Sequence, residues 1–273
     1  MFFSFHQRRS FSFPLKGLFE NAKQKKTSDA FLGRFDLLYF LTMDFNGWEK
    51  LSLVDFDDYL TTTFFTSGCN FRCPFCHNKN LVLTPKDNPA IPWETMLDYL
   101  KRRKKELDAV CITGGEPTLM EGLEEKLRQI KELGYLVKLD TNGTNPDLLK
   151  EFHREGLVDY FAMDIKNSKR KYAETAGLEK IDLAKIEDSV SYLIHSGCRY
   201  EFRTTIMEEY HDEESFREIG EWLDGAEHYF LQRYVDSENC IKRGLHMVSK
   251  KDAEKYLGVL RKNIKTVELR GYD

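Results

Sequence analysis

A chain of 273 residues, 41% hydrophobic and 32% charged, has a globular protein's composition and length enough for one large core or two modest ones. Its net charge of −4 leaves no cationic footprint for nucleic acid, and no apolar run approaches the length that crosses a bilayer. The charge is uneven: residues 1–42 hold seven Lys/Arg and three Asp/Glu, leaving 34 basic and 42 acidic residues for the rest.

The first 42 residues therefore differ in kind from residues 43–273. Arg8-Arg9-Ser10-Phe11 has a twin-arginine form, but Lys16, Glu20 and Lys23 interrupt the apolar segment that should come after it. The composition fits a mitochondrial-type presequence somewhat better. The plainer expectation is a poorly ordered extension over 1–42, with Met43 as a workable alternative start, and then one domain over 43–273.

From Met43 the chain alternates between two periodicities. "LTTTFFT" predicts a strand over 60–66, and a helical pattern comes next over 92–106. Next come strand 108–113, helix 121–133, strand 135–141 and helix 146–155. Strand 158–165, helix 182–196, strand 199–206 and helix 213–224 continue the series. Strand 228–235, helix 249–262 and a final strand within 266–272 complete it. Pro146 opens a helix after Asn145, and Gly134 and Gly156 follow the ends of two others. Six βα units with a parallel sheet are expected, as in an α/β barrel, closed or partial. The run Lys101-Arg-Arg-Lys-Lys105 reads as the solvated face of helix 92–106.

Polar or glycine-rich clusters recur at the C-terminal end of strand after strand. The first strand is followed by the cysteines of "SGCNFRCPFCHN" (67–78) and the second by Thr113-Gly-Gly-Glu-Pro117. The third leads into Asp140-Thr-Asn-Gly143. Asp164 and Lys166 follow at the fourth, Arg203, Thr204 and Thr205 at the fifth, Gln232 and Arg233 at the sixth. In a β/α barrel these ends face one common site.

Cys69, Cys73 and Cys76 are clustered, whereas Cys111, Cys198 and Cys240 are dispersed; this is the pattern of a reducing cytosol and a metal or redox site. Cys73-Pro-Phe-Cys76 alone has the form of a thioredoxin-type dithiol, which leaves Cys69 unexplained. With His77 it has the form of a haem-attachment box, which needs export. His77 as a fourth zinc ligand directly follows Cys76, an awkward geometry for one tetrahedral ion. Three thiolates on one loop also suit an iron–sulfur cube whose fourth iron is left open, with Phe75 shielding it.

The spacing C-x3-C-x-Φ-C, here Cys69, Cys73, Phe75 and Cys76, resembles the signature of the radical S-adenosylmethionine superfamily. With "GGEP", "LDTNG" and "MDIK" at later strands, residues 47–273 resemble activating enzymes of glycyl radical enzymes. Within that branch they are most similar to the anaerobic ribonucleoside-triphosphate reductase activators.

The resemblance implies a partial (β/α)6 barrel with its site at the C-terminal strand ends. It implies one [4Fe-4S] cluster on Cys69, Cys73 and Cys76, with S-adenosyl-L-methionine on the open iron. One-electron cleavage gives a 5′-deoxyadenosyl radical, which takes hydrogen from a glycine of a partner enzyme. Phe75, Gly114, Gly115, Glu116, Asp140, Asn142, Asp164, Lys166 and Arg203 are placed at the cofactor. Gly114 and Gly115 would let backbone approach the ligand, and Glu116 lies in the segment that meets its ammonium. Asp140 and Asp164 would lie near the methionyl end, where some activases hold a monovalent cation. Lys166 and Arg203 would meet the cofactor carboxylate or the partner's backbone. His77 and Asn78 would cap the loop. "VDFDD" (54–58) replaces the "DYPG" of many relatives. No second cysteine motif follows the first, so a separate flavodoxin- or ferredoxin-like protein is expected to supply electrons. Cytoplasmic location, without membrane or nucleic-acid partners, completes the expectation.

Overall fold

A computed structural model describes residues 45–272. The expected extension over 1–42 lies outside the described residues. Eight strands form one sheet in the order of the sequence, β1 to β8. They are β1 (Phe45–Ser52), β2 (Thr61–Thr66), β3 (Ala109–Gly114), β4 (Leu136–Thr141), β5 (Tyr160–Asp164), β6 (Tyr200–Ile206), β7 (His228–Arg233) and β8 (Thr266–Arg270). β1 is antiparallel to β2, and every later pair is parallel. β1 and β8 do not pair, so the barrel stays open.

Parallel neighbours require crossovers, and helices supply them. They are α1 (Lys79–Leu83), α2 (Trp93–Arg102), α3 (Leu123–Glu132), α4 (Pro146–Arg154), α5 (Tyr172–Thr175), α6 (Leu183–His195), α7 (Glu213–Trp222) and α8 (Lys250–Leu260). Strands β2 to β7 each lead through helix to the next strand, giving the six expected βα units. Local chemistry marks the helix starts. Asp212 accepts from the Ser215 N–H at 2.7 Å before α7, and Ser249 accepts from the Asp252 N–H at 3.1 Å before α8. Pro146 occupies the first turn of α4.

Successive strand residues point to opposite faces of the sheet. One set is apolar and fully buried: Val110 and Ile112, Val137 and Leu139, Phe161 and Met163, Phe202, Tyr229 and Leu231. It packs with Leu127, Ile130, Leu149, Phe152, Leu193 and Phe216 from the helices. The alternate set is polar and includes Lys138, Asp140, Asp164, Glu201 and Arg203. The apolar core therefore lies in the helix layer, while charge fills the barrel's inner face.

Three differences from the sequence reading have physical reasons. β1 was not anticipated, because Asn46-Gly47 has turn character and Glu49-Lys50 breaks the apolar pattern. As an edge strand it needs only one buried side, which Phe45 and Trp48 provide beside Phe64. Helices α1 and α5 are too short for a periodic signal. Helix α2 ends at Arg102, and a turn with Leu107 N–H bonded to the Arg103 carbonyl carries the rest of the basic run. All five of its residues are exposed, as a solvated face requires. Among the described residues no helix is long and apolar enough to cross a membrane.

Candidate functional site

The cysteine loop leaves β2 through Ser67 and Gly68 and is tied down mainly by main-chain hydrogen bonds. Gly68 N–H donates to the Leu81 carbonyl at 2.8 Å, and Glu116 N–H donates to the Gly68 carbonyl at 2.8 Å. Arg72 N–H reaches the Ala176 carbonyl just past α5 at 2.9 Å, and its guanidinium bonds the carbonyls of Cys69 and Phe71. On the far side, Ile241 N–H donates to the Cys76 carbonyl at 3.2 Å and Lys242 N–H to the Pro74 carbonyl at 2.7 Å. His77 Nε2 lies 2.7 Å from the Val235 carbonyl, and Asn78 Nδ2 donates to the Gly114 carbonyl at 2.7 Å. These two side chains hold the loop in place.

Gly114 and Gly115 have a sharper reason than ligand approach. A Cβ on Gly115 would stand 1.7 Å from the Gly68 carbonyl oxygen. One on Gly114, at φ +118°, would meet the Thr66 backbone at 2.4 Å. The glycine pair lets the β3 turn lie directly against the cysteine loop.

The loop roofs a cavity of about 190 Å3. Cys69, Cys73, Phe75, Cys76, Gly114, Gly115, Asp140, Asn142, Asp164, Lys166 and Arg203 all line it. Glu116 does not. It is buried, and its carboxylate accepts from Thr118 N–H at 3.1 Å, Thr118 Oγ1 at 2.6 Å, Thr141 Oγ1 at 2.8 Å and Asn142 N–H at 2.7 Å. Burial raises its pKa, and these four donors work against that rise. Its place in the structure is that of a clamp between the β3 and β4 turns. Asn142, positioned by this clamp, directs its amide nitrogen to Asn70 at 2.8 Å and towards the Cys69 sulfur at 3.9 Å.

Beneath the sulfurs lies a layer of charge. Arg203 bridges Asp140 at 3.1 Å and Asp164 at 3.0 Å, and Lys166 meets the other oxygen of Asp164 at 2.9 Å. Burial opposes ionisation of Asp164, but Lys166 and Arg203 outweigh it and hold its pKa down. Burial likewise opposes the Lys166 charge, and Asp164 followed by Cys73 raises its pKa above the usual lysine range. Deeper still, Glu201 takes a bidentate pair from Arg270 at 3.0 and 2.8 Å, with Lys138 Nζ 3.7 Å away.

Lys138, Glu201 and Arg270 were not singled out in the sequence. Their signal was the alternation Lys138-Leu-Asp140 and Glu201-Phe-Arg203 inside parallel strands, where both faces are expected to be apolar. Phe71, Val82, Thr113, Thr141 and Thr205 also line the cavity. Phe71, Thr113, Thr141 and Thr205 lie in the strand-end clusters read from the sequence but carry no ionisable group to mark them as site residues, and Val82 looks like an ordinary apolar residue.

The donor set tests which group fits. Burial pushes the Cys69 thiol well up and the Cys73 thiol to about 11, so these sulfurs ionise when a metal replaces the proton. A single zinc with Zn–S of about 2.3 Å holds its sulfurs under about 4 Å apart. Among the described residues, the trio of metal-ligating side chains whose donor atoms all lie within 4.8 Å of one another is Glu124, Glu151 and Glu155, not the cysteines. Arg128 pairs with two of those glutamates. The three sulfurs are thus too spread for one ion and suit a cluster that gives each its own iron. Asp140 Oδ1 is buried without a hydrogen bond, and the Lys138 ammonium lies 3.8 Å from it.

The family pattern described as the radical SAM superfamily matches residues 63–223. The chain belongs to the radical SAM superfamily. Members use S-adenosylmethionine and a [4Fe-4S] cluster. A Methanocaldococcus jannaschii protein, named as a putative glycyl-radical enzyme activating enzyme, is 32% identical over 196 residues, covering 69% of this chain and 79% of that one. A GTP 3′,8-cyclase of Saccharolobus solfataricus, named as probable, is 42% identical over 80 residues, 29% of this chain and 25% of that one. Among solved structures, Streptococcus suis SuiB bound to S-adenosylmethionine has a TM-score of 0.58 at 16% identity, over 75% of this chain and 48% of that one. That likeness is one of fold, and it agrees with a partial barrel.

Proposed function

We propose that the protein activates a glycyl radical enzyme, with anaerobic ribonucleoside-triphosphate reductase as the partner its sequence most favours. The observation that carries this reading is the joining of three spread sulfurs to a cavity floored by Lys166, Asp164, Arg203 and Asp140. The archaeal protein named as a putative activator is 32% identical over 196 residues and 79% of its length, against 29% over 188 residues and 55% of its length for a Helicobacter pylori GTP 3′,8-cyclase.

Cys69, Cys73 and Cys76 would hold the cluster, and Phe75 beside them would limit water. A cluster held there would supply the one-electron reduction of the S-adenosylmethionine sulfonium that hydrogen abstraction from a glycine requires. The chain's own residues bind and orient. Lys166 offers an ammonium to a carboxylate, and Asp140, which lines the cavity between Arg203 and Lys138, adds negative charge on the side where an ammonium would lie. Arg203 keeps the two aspartates from repelling one another. Cys111 on β3 and Cys198 before β6 lie away from the loop, and Cys240, in the segment after β7 that bonds the loop through Ile241, is buried and completes no second three-cysteine motif, so a separate flavodoxin- or ferredoxin-like protein would supply the electrons. Residues 43–273 form the working domain in this reading, located in the cytoplasm.

Anaerobically reconstituted protein should carry four irons per chain and convert S-adenosylmethionine to 5′-deoxyadenosine with dithionite. Adding the reductase should give a glycyl radical signal by electron paramagnetic resonance. Cleavage without any glycyl radical, but with turnover of a nucleotide, would favour the small-molecule chemistry suggested by the cyclase match. Absence of both cluster and cleavage would end the proposal. Cys76→Ala should lose the cluster yet keep a cooperative thermal transition.

A further inference from the structure

The turn after β6 contains a buried histidine that the sequence reading did not use. His211 is 3% exposed, and its ring stacks on Phe216 of α7 with centroids 5.7 Å apart. Nδ1 lies 3.3 Å from the Met207 backbone nitrogen, and Nε2 lies 2.9 Å from the Lys166 carbonyl. A backbone N–H can only donate, so Nδ1 must accept. The proton is therefore on Nε2, the one arrangement in which the ring donates to the Lys166 carbonyl. A protonated ring would turn an N–H towards the Met207 N–H.

The same two turns are joined a second time. Asn167 Nδ2 donates to the Tyr210 carbonyl at 2.9 Å and to Thr175 Oγ1 at 2.9 Å. Lys166 thus has its main chain fixed from the β6 turn and its ammonium fixed by Asp164, with the Phe75 ring 5.9 Å away. A lysine side chain has many rotamers to lose, so fixing its root removes part of the entropy cost of binding.

We infer that neutral His211 is a positioning residue, which sets Lys166 at the cavity by holding its carbonyl. The inference concerns how Lys166 is presented and rests on the reading of that cavity as an S-adenosylmethionine site. His211 itself does not line the cavity and would touch no substrate.

Nitrogen-15 spectra of histidine-labelled protein at pH 7 should show His211 as the neutral tautomer protonated on Nε2. A ring protonated on Nδ1, or doubly protonated, overturns the inference. Calorimetric titration of S-adenosylmethionine into cluster-loaded enzyme supplies the second measurement. His211→Phe keeps ring volume and should raise Kd about tenfold, with cleavage at saturation within about twofold. His211→Gln places an amide N–H near the Nε2 position and should recover most of the lost affinity. Wild-type Kd in His211→Phe, or no recovery in a folded His211→Gln, overturns the inference. Wild-type protein that binds no S-adenosylmethionine instead overturns the reading of the cavity, and the tautomer then decides for His211 alone.

Discussion

The cysteine loop and the charged layer beneath it occupy one cavity but are held by different forces. The loop is fixed largely by neutral main-chain bonds from the β3 turn, from the residues after α5 and from the segment after β7. The layer is fixed by buried ion pairs across β4, β5, β6 and β8. Main-chain bonds constrain shape and tolerate changes of charge nearby. Buried ion pairs are the reverse, since removing one partner strands the other in a low dielectric. A bound metal cluster would change charge on taking an electron, and a loop held mainly by main-chain bonds, with the Arg72 guanidinium beside them, would keep its geometry through that change.

The sharpest way to break this contrast is Arg203→Met, which leaves Asp140 and Asp164 facing each other in the barrel. It should cost about 3–5 kcal/mol in chemical denaturation, the range for breaking a buried pair, and weaken S-adenosylmethionine binding. A loss under about 1 kcal/mol would show that water already screens the layer.

Acid should act through the tether between the β5 and β6 turns. Burial holds the His211 pKa at about 4 against an ordinary 6.5, with Lys171 adding to the depression and Asp212 opposing it. Between those values the unfolded chain binds the proton and the folded one does not. Stability should therefore fall by about 3 kcal/mol as pH drops from 6.5 to 4, with no contribution from this group above 6.5. Denaturation curves across that window check it, and His211→Phe should remove the slope.

The loop offers a steric counterpart. Gly115→Ala adds one methyl against the Gly68 carbonyl and should cost about 1–3 kcal/mol, with impaired cluster assembly measured by iron content. The smallest effect belongs to the basic run on the outer face. Lys105→Gln should change stability by no more than about 0.5 kcal/mol and leave cleavage unaltered.

Much of this architecture was legible in the residues because period and position agree. Apolar, β-branched or aromatic runs of six to eight residues beside helical patterns marked β2 to β7, and polar residues at their ends marked the cavity. Eleven of the twelve residues expected at the site line it, with Glu116 set behind it as a clamp. What stayed hidden is what periodicity cannot carry. β1 has the composition of a turn, and its edge position asks little of its sequence. The use of Gly115 depends on where Gly68 comes to lie, 47 positions earlier. Arg270 and Glu201 are 69 residues apart, and the curvature of the sheet brings them together.

The sheet order carries a consequence for assembly. Every strand pairs with its neighbour in sequence, so the barrel can be built one unit at a time. Glu201 arrives with β6, but its bidentate partner Arg270 arrives only with β8. Until β8 docks, the barrel interior holds a carboxylate whose strongest partner is missing, and water must remain there to solvate it. Docking of β8 thus completes the ion pairing of Glu201, and it ties completion of the sheet to completion of the charged layer beneath the site.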